Sequence, residues 1–186
     1  VFLTGVAGLL AGAFSMAAGE FISMRTQREM FEYQIAQEKE ELELYPEEEA
    51  EELALIYEAR GVPIEEARAL ATRLIADPKT ALDTLAREEL GLNPDDLGSA
   101  TGAAVWSFLA FSSGAFLPLI PFLIGFAAPV PAAAGISAVG LFGVGAAMSL
   151  FSGRNALWGG VRMLAIGALA GAATFAIGSL FGVAVN

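Results

Sequence analysis

Cysteine and histidine are both missing from this chain. Together the two absences remove disulfides, thiolate zinc sites, imidazole ligands and the ordinary general base of an enzyme. Any metal ion held here has only oxygen and thioether ligands to choose from. Charge is scarce as well: Asp, Glu, Lys and Arg make up 17% of the 186 residues, against roughly 25% in a soluble domain. What charge there is lies segregated. Of 21 acidic residues only Glu20 falls outside residues 25–98, and of 10 basic residues only Arg154 and Arg162 do. The net charge of −11 therefore belongs to one acidic insert in an apolar chain, and nucleic acid is not an expected partner.

The apolar remainder reads as membrane. A bilayer-crossing helix needs about 20 predominantly apolar residues, and four segments supply them: roughly 1–24, 100–126, 131–151 and 157–184. The fold class expected is all-α, a polytopic helical membrane protein with a helical insert between its first and second spans. Val1 stands in mid-hydrophobic sequence, without a basic region or a small-residue cleavage site, so the opening run reads as a span and not a signal peptide. A further segment is expected ahead of it. Small residues four apart at Gly8 and Gly12, Gly167 and Gly171, and Gly178 and Gly182 are expected to let helices approach closely. Pro118 and Pro121 in "LPLIPF" remove two backbone donors, which predicts a kink or broken turn. Arg25 and Arg28 close the first span, and Arg154 and Arg162 bracket the turn before the last, while "AAPVPAAA" carries no charge. By the positive-inside rule the arginine side is cytoplasmic, which puts residues 25–98 in the cytoplasm.

The insert reads as four helices punctuated by proline and glycine. A charged continuation of the first span ends at Pro46; "PEEEAEELALIYEARG" stops at Gly61, "PIEEARALATRLIADP" follows, and "PKTALDTLAREELG" stops at Gly91. Apolar stripes run along them: Ala50, Leu53, Ala54 and Tyr57; Ile64, Ala67, Leu70, Ala71 and Leu74; Ala81, Leu82 and Leu85. Glu38 and Glu41, and then Glu49 and Glu52, are three residues apart, so each pair shares a helix face. Two such pairs brought together across the Pro46 turn would repel, and a divalent cation would relieve the repulsion. Oxygen-only ligation suits manganese, magnesium, calcium or ferrous iron. On composition alone such a run is more often a solvated acidic face than a metal site. "NPDDLGSA" lacks the spacing of an EF-hand loop, and a ferritin-type di-iron site needs histidines.

The combination of "GLLAGAFSMAAGEFISMRTQRE", an acidic helical insert ending in "AREELGL", and "SFLAFSSGAFLPLIPFLIG" resembles the vacuolar iron transporter family over nearly the whole chain. The resemblance implies a homodimeric carrier of Fe2+ or Mn2+ out of the cytoplasm in exchange for protons. It implies metal-binding glutamates at Glu38, Glu41, Glu49, Glu52 and Glu89, and a transport path past Met16 with Glu20 near its cytoplasmic mouth. An ionisable residue within a span points to function independently of any resemblance. The family's first span has no counterpart here. A methionine common in the family near the position of Leu85 is also absent, so a harder metal preference is expected. The composition suggests a bacterial inner membrane, or a vacuolar membrane in a eukaryote. The rival expectation is a non-transporting membrane protein whose acidic domain buffers metal or docks a partner. An iron-oxidising enzyme is weaker, because it would need an all-carboxylate site.

Overall fold

The computed structural model describes residues 2–180, apart from the side chains of residues 78 and 79. The described residues form helices and turns with no strand. In chain order these are α1 (Phe2–Leu44), α2 (Pro46–Ala59), α3 (Ile64–Ile75), α4 (Pro78–Glu88), α5 (Ala100–Phe116), a 3-10 turn (Leu117–Leu119), α6 (Ile120–Leu123), α7 (Pro129–Phe151) and α8 (Ala156–Leu180). Among the described residues four stretches are long and apolar enough to cross a bilayer: one within α1, then Ala100–Leu123, Pro129–Phe151 and Ala156–Leu180. The end of the fourth expected span, residues 181–184, and with it Gly182, lies outside the described residues.

The chain divides into two compact units, residues 17–106 and residues 1–16 with 107–186. In the first, Leu53, Ala54, Ala67, Ala71 and Leu85 form a fully buried core, flanked by Leu42, Tyr57, Val62, Leu74 and Ile75. The many alanines let short helices pack closely, and fully burying Leu53 and Leu85 contributes about 1.5–3 kcal/mol each. Punctuation works as the sequence suggests. Gly61 takes φ +95°, and the Val62 amide donates to the Tyr57 carbonyl at 3.1 Å, a closure that only a residue free of Cβ makes cheaply. One stripe position departs from expectation: Leu70 is exposed. Ala67, Ala71 and Leu74 already fill the face of α3 that meets the core, and Leu70 falls outside that narrower arc.

In the other unit the predicted break is present, since α5 ends at Phe116 and the chain passes through a 3-10 turn containing Pro118 before α6. The Phe14 and Phe108 rings pack at 5.1 Å in a tilted arrangement. Of the glycines the sequence pairs, Gly12 and Gly167 lie against the Phe111 and Leu141 side chains of neighbouring helices, where a Cβ would collide, while Gly8, Gly171 and Gly178 face open space. The close contact is between α7 and α8, where a Cβ on Gly145 would lie 2.5 Å from the Gly159 carbonyl oxygen and 2.6 Å from Met163 Cβ. The earlier spacing rule looks within one helix, whereas this pair matches one glycine from each of two. Large apolar side chains such as Val139, Phe151, Leu157 and Leu169 point outward, as lipid-facing residues do.

Candidate metal centre

Glu38, Glu49 and Glu89 come from three different elements of the helical insert and converge. The α1 helix breaks at Tyr45, whose carbonyl accepts the amides of Glu48 and Glu49 at 2.9 and 3.1 Å. Pro46 opens α2 where its missing N–H costs nothing. This single-residue turn folds the first turn of α2, bearing Glu49, back toward Glu38. The third member sits immediately after α4: the Glu89 amide bonds the Leu85 carbonyl at 2.9 Å, and Leu92 bonds back to the Ala86 carbonyl at 2.8 Å around Gly91 at φ +66°.

One carboxylate oxygen from each of the three lies within 4.8 Å of the others. Two oxygens on opposite sides of a cation, each about 2.0–2.6 Å from it, are about 4–5 Å apart, so the spacing suits a hard divalent ion. Glu38 and Glu49 are only 3% and 5% exposed, and Glu38 Oε1 and Glu49 Oε2 are buried with no hydrogen-bond partner. Leaving carboxylate oxygens so is costly unless a proton or a cation satisfies them.

The electrostatics agree. Burial first, then the charge of Glu89, then a hydrogen bond to Glu49, push the Glu38 carboxyl up to about 8. Burial also raises Glu49, with Glu52, Glu89 and Glu41 adding to it, while the hydrogen bond from Glu38 pulls the other way. Glu89 is raised by burial and by Glu52 and Glu41. The two carboxyls Glu38 and Glu49 thus share a proton unless a cation displaces it.

Six of the eight bases of the insert are paired elsewhere. Arg25 pairs with Glu29, Arg28 with Glu32, Lys39 with Glu43, Arg60 with Glu88, Arg68 with Glu51 and Glu65, and Arg87 with Asp83 and Asp95. Among the described residues no ion pair reaches Glu38, Glu41, Glu49, Glu52 or Glu89. The contrast is visible in titration: the Arg68 hydrogen bond holds Glu51 below its ordinary range, and Arg87 does the same for Asp83. Arginine partners thus favour the ionised form at Glu51 and Asp83, whereas burial favours the protonated form at Glu38, Glu49 and Glu89.

Of the seven residues the sequence points to, three converge in the candidate cluster: Glu38, Glu49 and Glu89. Glu41 and Glu52 are exposed and bear on it through their charge. Met16 and Glu20 are exposed and one turn apart on α1, and neither belongs to the cluster. Leu85 is a fully buried core residue. Sequence reasoning did not anticipate the bracing arginines, because pairs such as Arg60 with Glu88 join residues far apart along the chain.

Comparison with protein families matches residues 1–179 to the VIT family. The protein named vacuolar iron transporter from Acanthamoeba castellanii is 38% identical over 97% of this chain and 69% of its own length. Vacuolar iron transporter 1 of Arabidopsis thaliana is 32% identical over 95% of this chain and 72% of its own. A rice protein, vacuolar iron transporter homolog 1, is 34% identical over 98% of this chain and 60% of its own length. These sources, an amoeba and plants, lend nothing to the bacterial inner membrane suggested by composition. With a family match over almost its whole length, the chain belongs to the VIT family.

Proposed function

We propose that this multi-pass membrane protein carries divalent iron, and manganese as an alternative cargo, out of the cytoplasm in exchange for protons. The observation that carries the reading is the convergence of Glu38, Glu49 and Glu89, two of them buried, with no basic partner, in a chain related to proteins named iron transporters. A hydrated cation arriving from the cytoplasm exchanges water for carboxylate oxygens. Binding displaces the proton shared by Glu38 and Glu49, because ligand oxygens must be deprotonated to coordinate. Glu41 and Glu52 raise the local negative potential and draw cations in. From the insert the ion passes to a path along α1 lined by Glu20 and Met16, an ionisable residue and a thioether. Protonation on the far side favours release. The transporting form is a homodimer.

The test is metal uptake by proteoliposomes holding the full chain, acidic inside, with Fe2+ under reducing conditions or Mn2+ outside. The expected result is accumulation that discharges the pH gradient and slows in the Glu38→Ala, Glu49→Ala and Glu89→Ala variants. Saturable binding without uptake would instead make the insert a metal buffer and refute transport.

A further inference from the structure

The cluster draws its ligands from α1, α2 and the end of α4, yet α4 packs mainly on α3 and meets α2 only slightly. Something must fix the end of α4 relative to α2 against the mutual repulsion of their glutamates. Arg60, the residue that closes α2, is placed to do so. Its Nη1 donates to Glu88 Oε2, and Nη2 reaches the Glu88 carbonyl at 3.5 Å. The guanidinium carbon lies 6.0 Å from the centre of the Tyr57 ring, a side chain packed against the core. Arg60 is thus anchored on α2 by its backbone and its stacking, and holds the last residue of α4 by both side chain and main chain. Glu89 is the next residue along. We propose that Arg60 is a positioning residue for the metal cluster, tying the helix that carries Glu49 to the residue preceding Glu89. The proposal rests on the reading of Glu38, Glu49 and Glu89 as a divalent-cation site.

Its sign sets it apart from simple electrostatics. Arg60 is a cation near an anionic site, so through space it disfavours metal, and removing its charge would tighten binding. A positioning role requires the opposite. The planar fork also matters, since a lysine keeps the charge but presents its donors from one point on a flexible stem, without the rigid fork that reaches side chain and main chain together.

The experiment measures Mn2+ affinity of the full chain in detergent by titration calorimetry, with helix content checked by circular dichroism. Arg60→Gln is expected to weaken binding about tenfold with helix content unchanged, the scale usual for supporting partners of a metal site. Arg60→Lys is expected to weaken it severalfold. The charge-exchanged double variant Arg60→Glu with Glu88→Arg is expected to recover most of the loss. Unchanged or tighter binding in Arg60→Gln, while Glu89→Gln loses affinity, overturns the proposal, and so does failure of the exchanged pair to recover. Should Arg60→Gln not fold, Arg60→Lys decides alone: wild-type affinity there overturns it. If Glu38→Gln, Glu49→Gln and Glu89→Gln all bind Mn2+ like the wild type, the cation-site reading itself falls, a result distinct from failure of Arg60.

Discussion

In the proposed function, Glu38 is the residue on which proton and metal compete. Its carboxyl, ordinarily titrating near 4.5, is pushed up to about 8, so between those values the folded chain keeps a proton that the unfolded chain releases. Stability linked to this group is therefore complete below about pH 4.5 and lost as pH rises to about 8. Melting of the metal-free protein should shift to lower temperature across that window. Both saturating Mn2+ and Glu38→Gln should flatten the dependence, the first by replacing the proton and the second by removing the titrating group. The same competition makes Mn2+ affinity rise with pH up to about 8 and then level off. Glu38→Gln should lower that affinity by at least about tenfold, since supporting partners alone cost about 10–100-fold. Calorimetric titrations at several pH values check both statements.

At the scale of helices, the two units rest on different contacts. The insert depends on Leu53 and Leu85, so Leu85→Ala should cost about 2–5 kcal/mol and, by loosening α4, also weaken metal binding. Chemical denaturation of the full chain, followed by the fluorescence of the insert tyrosines, would register it. The α7–α8 pair depends on glycines. A Cβ on Gly159 would run into Ser149 Oγ and lie 2.6 Å from the Gly145 carbonyl oxygen, so Gly159→Leu should force these helices apart and reduce the yield of folded protein. Gly171→Leu, at a position facing open space, should be tolerated.

The helices of the insert were legible because their ends carry local chemistry: Pro46 and Pro78 open helices, and Gly61 and Gly91 close the turns that follow. The pairing of Glu38 with Glu49 was half legible, because three-residue spacing fixes which face a glutamate takes but not which faces meet. Glu89 came from resemblance alone, since nothing in "AREELGL" reveals what the end of α4 packs near. The Gly145–Gly159 approach and the arginine braces were hidden for the same reason. They join residues whose proximity is decided by packing between helices, not by spacing along one.

For the whole molecule, segregation of charge is the organising fact. Twenty of the 21 acids lie in residues 25–98, and six of the eight bases there pair with acids outside the cluster, leaving Glu38, Glu49 and Glu89 without a basic partner among the described residues. Among the described residues the apolar remainder supplies four helices long and apolar enough to cross a membrane. Transport should consequently respond to ionic strength, because exposed Glu41 and Glu52 attract the cation through solvent and salt screens them. Initial uptake by proteoliposomes at subsaturating Mn2+ should fall as an inert monovalent salt is raised from about 0.01 to about 0.15 M, where the screening length shrinks from about 30 to about 8 Å. The central claim is that the three glutamates hold the metal. Crystals of the full chain soaked in Mn2+ and measured at the manganese absorption edge address it directly. The account predicts an anomalous peak about 2.0–2.6 Å from carboxylate oxygens of Glu38, Glu49 and Glu89. A chain saturated with Mn2+ but showing no peak among these three residues would contradict it.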